Sequence, residues 1–347
     1  MDSPRDALAA AFREQAAWSV KLASPLYAAL QTRLAEDVEA DGVCWRFLEP
    51  LVGDSARTLT LRFLAMLHRR ALEGAWPELA RCYPTCGGDA DTEAAGAAIR
   101  SALEANPGWR ASVPAGVQTN EVSRSCALLP GFLSIASRSR LPLRLLEIGC
   151  SAGLNLRWDQ YRYQAGEWSW GDPASPVVFD GWLKGEAAFA TPAVQVVERR
   201  GCDLHPIQPT AEGRLDLLSF LWPDQVARME QLNRAFACAT RVPARIDCAD
   251  AVEWTARQLA EVRRGVATVL YHSVFWMYLT PAAQARIEML IANAGRRASA
   301  DAPVAWLRME AGRVQAEIDL TYWPDGETEH IAKSSFHGRD VELLNPT

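Results

Sequence analysis

Residues 143–155 read LRLLEIGCSAGLN, a short apolar run followed by a turn of small residues. The run Leu143–Ile148 predicts a buried strand, and the small residues Gly149, Ser151 and Gly153 predict a tight turn that leads into a helical stretch. Ligands of open α/β sheets bind where such strands end. The sequence therefore places a candidate ligand site at this turn.

Apolar runs and helical patterns alternate after the turn. The apolar runs cover residues 194–197, 244–246, 266–271 and 304–309, and the helical patterns between them cover 216–237, 249–263 and 281–298. This alternation predicts a mostly parallel sheet with helices on both faces. Two further runs, 316–323 and 327–334, flank the turn Pro324-Asp325-Gly326 and predict an antiparallel hairpin that closes the sheet.

The first 140 residues carry helical patterns and lack strand-like runs. Apolar positions recur at helical spacing within residues 5–40, 57–72, 92–105 and 120–137. We therefore expect an all-α N-terminal domain over residues 1–140 and an α/β domain over residues 141–347. Residues 161–190 are rich in Gly, Pro and Trp and predict an insertion over one end of the sheet.

Composition narrows the class of protein. The chain has 347 residues, of which 49% are hydrophobic, and this is enough for a large core. Its net charge of −6 and the lack of Lys/Arg clusters argue against a nucleic-acid partner.

The N-terminal residues lack the pattern of a secretory signal, and no apolar stretch is long enough to span a membrane, so we expect a cytoplasmic protein without a membrane partner. The spacing of the Cys and His residues predicts no metal site.

Two chemistries compete for the turn. Small residues let a ligand approach the backbone closely, but Gly149-x-Ser151-x-Gly153 also matches the nucleophile elbow of a serine hydrolase. Glu147 has no role in an elbow, and the upstream chain lacks a His-Gly-Gly sequence for an oxyanion hole. Asp203 follows the next predicted strand, where a carboxylate can accept both hydroxyls of a ribose. These observations favour a nucleotide-type ligand.

Motifs along the chain resemble two known families. The turn, the Gly-x-Asp-x-x-Pro pattern at 201–206 and the Asp-Ala pair at 250–251 resemble class I S-adenosylmethionine-dependent methyltransferases. Four further motifs, QTNE at 118–121, WDQYRY at 158–163, WPDQ at 222–225 and HGR at 337–339, resemble a bacterial family, domain of unknown function 2332. This resemblance covers nearly the whole chain. It implies a Rossmann-like, seven-stranded methyltransferase-type sheet in an α/β protein.

The methyltransferase resemblance implies S-adenosylmethionine as the cofactor. It places the methionine half of this donor against Glu147, Gly149, Ser151, Gly153 and Asn155. It assigns the ribose to Asp203 and the adenine amino group to Asp250, with Asp247 as the alternative. Ser151 departs from the commonest methyltransferase pattern because it replaces the middle glycine.

Candidate residues for the methyl acceptor follow the other strands. His272 ends the fourth parallel strand and is a candidate general base, with a buried, hydrogen-bonded histidine as the alternative. Tyr161 is a second catalytic candidate, with lid packing as the alternative. We expect substrate contacts from Asn120, Arg124, Tyr163, Trp170 and Trp276.

The predicted function is methyl transfer from S-adenosylmethionine to a small molecule. The alternatives are a non-catalytic protein that binds a nucleoside or a partner, and a serine hydrolase that uses Ser151. Four of the 13 Trp residues, at 158, 168, 170 and 182, lie within 25 residues of each other, and we expect this cluster to cover the ligand site.

Overall fold

The structure is a computed structural model that describes residues 3–53, 55–187, 190–261 and 263–344. It confirms a mixed α/β protein with an N-terminal helical region and a large, mostly parallel sheet. The helices are α1 (Pro4–Lys21), α2 (Pro25–Glu39), α3 (Val43–Leu48), α4 (Ala56–Leu72), α5 (Pro77–Ala80), α6 (Thr92–Ala105), α7 (Arg124–Ser139), α8 (Ala211–Ser219), α9 (Val226–Arg241), α10 (Ala251–Gln258) and α11 (Pro281–Gly295). The strands are β1 (Leu143–Ile148), β2 (Arg162–Ala165), β3 (Trp168–Trp170), β4 (Val178–Asp180), β5 (Leu183–Lys184), β6 (Val196–Asp203), β7 (Arg245–Cys248), β8 (Ala267–Ser273), β9 (Val304–Ala311), β10 (Ala316–Trp323), β11 (Glu327–Ser334) and β12 (Val341–Leu343).

The described residues divide into two compact units. The first contains the chain up to Thr119 together with Thr210–Glu230, and the second contains Asn120–Pro209 and the chain from Gln231 onward. The boundary expected at residue 140 differs from this division, because α7 packs on β9, β10 and β11 and so belongs with the sheet. Conversely, α8 belongs with the helical unit, where it packs on α4.

The helical unit is organised around a buried apolar core. Large side chains of α1, α2 and α4 are fully buried there, among them Phe12, Leu30 and Phe63. The helix α1 begins with a capping box in which Ser3 and Asp6 bond each other's backbone N–H groups, and Pro4 holds its first turn. Pro25 begins the next helix.

The loop between α8 and α9 corrects the expectation of one helix over residues 216–237. The helix α8 ends at Ser219, and Pro223 has no N–H to continue a helix. The carbonyls of this loop have partners elsewhere in the helical unit. The Leu221 carbonyl accepts from Nδ1 of His68, and the Pro223 carbonyl accepts from the N–H of Thr85. Asp224 accepts from the Ser24 hydroxyl and from the N–H of Leu26 at 3.0 Å, so it caps α2. The WPDQ motif at 222–225 therefore includes a helix cap.

The large sheet has nine strands among the described residues, not the expected seven. Their order is β5-β12-β11-β10-β9-β8-β1-β6-β7, and the five strands β9, β8, β1, β6 and β7 are mutually parallel. The strands β10 and β11 form the predicted antiparallel hairpin. The two additional strands, β5 and β12, are short and pair at one edge, where a sequence pattern of two or three residues carries no strand signal.

The strands β2, β3 and β4, within residues 161–187, form a separate small sheet in the order β3-β2-β4, with its own aromatic packing. Trp158 lies in a stack between Phe132, at 4.3 Å between ring centroids, and Trp170, at 5.2 Å. Tyr163 stacks on Phe179 at 5.4 Å and also contacts Trp182. Trp170 of the insertion thus packs on Trp158, which in turn stacks on Phe132 of α7, and Trp168 and Trp182 pack against each other. Ala188 and Phe189, which fall in the predicted insertion, lie outside the described residues.

We expect Asp224→Ala to destabilise the protein by about 1–3 kcal/mol, because it removes the cap of α2 and leaves two donors without their acceptor. Urea denaturation measures this loss. Glu36→Ala is the matched control, since it removes an exposed carboxylate from the same helix. Equal denaturation midpoints for the two variants would contradict the capping role.

Candidate functional site

The candidate site lies where the strand order of the parallel sheet reverses. From β1 the chain adds β6 and then β7 on one side, whereas β8 and β9 lie on the other side. The carboxyl ends of β1 and β8 therefore border a topological switch point, which is where open α/β sheets bind ligands. The turn that the sequence singles out, residues 149–153, follows β1 at this point.

The end of β6 holds the turn in place. The N–H groups of Gly149 and Cys150 both bond the Cys202 carbonyl, at 2.9 and 3.1 Å. The next N–H, that of Ser151, bonds an Asp203 carboxylate oxygen at 2.9 Å. Three residues of the turn, Gly149, Ser151 and Gly153, have φ values of +67°, +51° and +65°. The turn thus has three residues in the left-handed backbone conformation, and hydrogen bonds from its N–H groups to protein acceptors hold it in place.

Each glycine of the turn contacts a specific neighbour. A Cβ at Gly149 would overlap the Phe275 ring, which follows β8. A Cβ at Gly153 would lie 2.9 Å from Ile246 Cδ1 and 3.1 Å from an Arg157 nitrogen. Protein side chains therefore account for the absence of side chains at these two positions, in addition to their positive φ values.

The segment after the turn is a short 3-10 helix over Leu154–Gln160, not the expected regular helix. Side chains donate hydrogen bonds to backbone carbonyls at the start of this segment. Arg157 is buried and donates to the Ala152 and Gly153 carbonyls, the latter at 2.6 Å. The Tyr161 hydroxyl donates to the Leu154 carbonyl at 2.7 Å.

Both candidate tyrosines are fully buried and hydrogen-bonded. Tyr161 bonds Leu154 as described, and the Tyr163 hydroxyl donates to the Trp158 carbonyl at 2.9 Å. Burial raises the pKa of both phenols well above the usual range. In this arrangement they hold the segment after the turn and do not offer a phenolate.

Glu147 lies beneath the turn at the end of β1 and is only 2% exposed. The Tyr271 hydroxyl donates to its carboxyl group at 3.2 Å. Burial raises the pKa of Glu147 to about 8, and the Tyr271 hydrogen bond and the Arg157 charge oppose this rise only in part. The carboxyl group is therefore largely protonated at pH 7.

The carboxylates that are predicted to bind the ribose and the adenine lie in different environments. Asp203 is half-buried, and its two oxygens accept the N–H groups of Ser151 and His205, each at 2.9 Å. Asp250 is exposed and caps α10 by accepting from the N–H groups of Val252 and Glu253. The alternative, Asp247, pairs with Arg200 and Arg245 and accepts from the Trp254 indole. Asp203 is the carboxylate that contacts the turn directly, through the N–H of Ser151.

His272 is fully buried, and both of its ring nitrogens are hydrogen-bonded. The indole N–H of Trp306 only donates, so Nε2 of His272 accepts this bond, at 3.1 Å. Nδ1 therefore carries the proton and donates to Glu310 at 2.6 Å. Trp276 stacks on the imidazole at 4.8 Å. This geometry matches the alternative of a buried, hydrogen-bonded histidine, and the ring has no nitrogen left to accept a proton from a substrate.

The polar residues before α7 tie three segments together. Asn120 accepts from the N–H of Leu154 at 2.9 Å, and Asn155 donates to the Glu121 carbonyl at 3.2 Å. Ser123, not Asn120, precedes the first residue of α7. Arg124 donates to the Ser273 carbonyl at the end of β8, and also to the Phe336 carbonyl near the C-terminus.

Three residues that sequence analysis missed take part in this arrangement. Phe275 covers Gly149, and Glu310 bonds both His272 and the N–H of Phe275. Gly338, in the HGR motif, lies so close to Ser123 that a Cβ would overlap the Ser123 carbonyl. Glu310 had a detectable signal, because this carboxylate directly follows the predicted strand 304–309. The other two depend on tertiary contacts.

The comparison with protein families identifies the relatives of the chain. The model of a family described as uncharacterized protein conserved in bacteria (DUF2332) matches residues 9–343. The chain belongs to this family. Gly338 of its HGR motif packs against the backbone of Ser123 and Arg124, which follow the QTNE motif, and its WPDQ motif caps α2. Neither the search of curated proteins nor that of solved structures found a match.

The described residues contain neither a candidate metal site nor a helix that could span a membrane. No group of three or more His, Cys, Asp or Glu side chains in this part of the chain is placed to hold a metal ion. No helix in the same residues is both long and apolar enough to cross a lipid bilayer.

We expect the buried carboxyl group of Glu147 to make stability depend on pH. The unfolded chain loses this proton near pH 4.5 and the folded protein near pH 8, so between these values the folded state holds more protons and loses stability as the pH rises. Glu147→Gln removes this titration. The stability of the variant relative to wild type should therefore rise with pH, by at most about 1.4 kcal/mol per pH unit.

Urea denaturation at several pH values between 5 and 8 measures this difference. Glu327→Gln is the control, because Glu327 is exposed at the start of β11. A Glu147→Gln difference that does not vary with pH would show that the folded protein ionises Glu147 throughout this range.

Proposed function

We propose that this protein is an S-adenosylmethionine-dependent methyltransferase that acts on a small molecule. The observation that carries the proposal is the hydrogen bond between Asp203 and the N–H of Ser151. It fixes a half-buried carboxylate beside a left-handed turn at the switch point of a parallel sheet. Nucleosides bind at this position in related sheets, with an acidic residue on the ribose hydroxyls.

The Asp203 carboxylate has capacity for a ribose. Its two oxygens accept one backbone N–H each, whereas an ionised carboxylate offers about four acceptor positions. Two hydroxyl donors can therefore add to the bonds already present. Protein acceptors already bond the turn N–H groups of Gly149, Cys150, Ser151 and Gly153. Binding at the turn would thus depend on Asp203 and on neighbouring side chains more than on these four N–H groups.

A bound donor would supply a methyl group on a sulfonium, which is transferred by in-line displacement. The contribution of the protein to such a reaction is chiefly to align donor and acceptor. His272 and Tyr161 are hydrogen-bonded within the protein and can support this alignment, but neither is placed to take a proton. The proposal therefore assigns no protein base, and the acceptor would release any proton to water.

The acceptor would contact partly exposed residues at the carboxyl edge of the sheet. Trp276 and Arg124 are half-exposed there, whereas Tyr163 is buried and Trp170 is stacked on Trp158. A small molecule is the proposed acceptor, because the net charge of −6 disfavours a nucleic acid.

Isothermal titration with S-adenosylmethionine and S-adenosylhomocysteine tests the proposal. We expect both compounds to bind the wild type, and Asp203→Asn to weaken both by about 10-fold or more, since charge-assisted hydrogen bonds to the ribose would be lost. Asp301→Asn is the control, because Asp301 is an exposed carboxylate in the same unit.

Absence of binding to the wild type at high micromolar concentration would rule out the proposed function. Binding without methyl transfer to any of a panel of small nucleophiles would instead support a non-catalytic nucleoside-binding protein. Equal affinities of wild type and Asp203→Asn would overturn the assignment of Asp203 to the ribose.

Ser151 favours a second candidate function, that of a serine hydrolase. Its φ of +51° is unusual for a residue with a side chain, and a nucleophile elbow places its serine on a similarly strained turn. Ser151→Ala separates the candidates. A hydrolase would lose turnover of a p-nitrophenyl ester with this substitution, whereas the proposed methyltransferase should still bind S-adenosylmethionine.

A further inference from the structure

An aromatic cluster surrounds the end of β8. It contains His272, Phe275, Trp276 and Trp306, with ring centroids 4.8 Å apart for His272 and Trp276 and 5.7 Å apart for Trp276 and Trp306. His272 and Phe275 lie 6.4 Å apart. Phe275 and Trp276 are half-exposed. These two side chains are thus partly accessible at the switch point.

Glu310 holds this cluster in position. Its Oε1 accepts from Nδ1 of His272 at 2.6 Å and from the N–H of Phe275 at 3.0 Å, and its Oε2 lies 3.2 Å from the same N–H. The carboxylate side chain is 21% exposed. A negative charge is therefore fixed directly against the backbone that carries the Phe275 ring.

The Phe275 ring contacts the turn. It lies so close to the Gly149 Cα that any Cβ would overlap it. Under the proposed function, this part of the turn holds the methionine half of the donor. The ring and the carboxylate therefore lie beside the region where the sulfonium of the donor would bind.

We infer that Phe275 and Glu310 form a subsite for the sulfonium cation of the donor. An aromatic face attracts a positive charge through its quadrupole, and a nearby carboxylate adds a favourable charge interaction. The neutral thioether of S-adenosylhomocysteine gains neither the attraction to the aromatic face nor the charge interaction. The subsite would hence favour the charged donor over the neutral product, and so assist product release. This inference rests on the proposed function.

Isothermal titration of Phe275→Leu with both compounds tests the subsite. Leu keeps an apolar side chain but removes the aromatic face, so we expect the affinity for S-adenosylmethionine to fall between about 2-fold and 30-fold. The affinity for S-adenosylhomocysteine should change less, so the ratio of the two affinities should fall. Phe275→Tyr, which keeps the face, should restore the ratio. Phe236→Leu controls for the loss of a phenyl ring on α9, away from the site.

The outcomes distinguish this inference from the proposed function. If the wild type binds neither compound, the proposed function fails and the subsite fails with it. If the wild type binds both and Phe275→Leu weakens them equally, only the subsite is overturned. A lower ratio in Phe275→Leu together with a wild-type ratio in Phe275→Tyr supports the subsite.

Discussion

The attachment of the turn at residues 149–153 to the end of β6 is the constraint on which the site depends. The register of β1 on β6 places Ile148 opposite Cys202, so that the Cys202 carbonyl meets two N–H groups of the turn and Asp203 meets the third. Gly201 allows this approach, because a Cβ there would overlap the Cys150 side chain. With the turn held in this position, Gly149 lies against the Phe275 ring, and the N–H of Phe275 donates to Glu310. A change in strand register would displace each of these groups.

The sequence predicts the parts of the fold that depend on periodicity. Apolar runs predict β1 and β7 to β11 in their order of appearance, whereas β6 shares only residues 196 and 197 with its predicted run and continues through the charged residues Glu198, Arg199 and Arg200. Periodicity does not predict the break between α8 and α9. Pro223 is a local signal for this break, because it has no N–H to continue a helix, whereas the partners of the loop carbonyls, His68 and Thr85, are distant in sequence. Such partners are close only in the folded chain.

The candidate site shows the same division between local and distant signals. The left-handed turn and the position of Asp203 after the second parallel strand follow from local sequence. The state of His272 does not, because its partners Trp306 and Glu310 lie 34 and 38 residues further along the chain. Burial similarly decides the chemistry of Tyr161 and Tyr163, whose hydroxyls bond backbone carbonyls. A sequence pattern gives the type of side chain but not the groups that surround it.

The short strands at the two ends of the large sheet have a consequence for association between chains. The end strands contribute two residues, in β5, and four residues, in β7. A long end strand would present a row of unpaired N–H and C=O groups to which another chain could add. Here that row is short on β5 and β7 themselves, and the exposed cation of Arg245 lies on β7. These end strands are therefore poor templates for the addition of another chain, whereas β6 and β11 extend beyond the residues that β7 and β12 pair with.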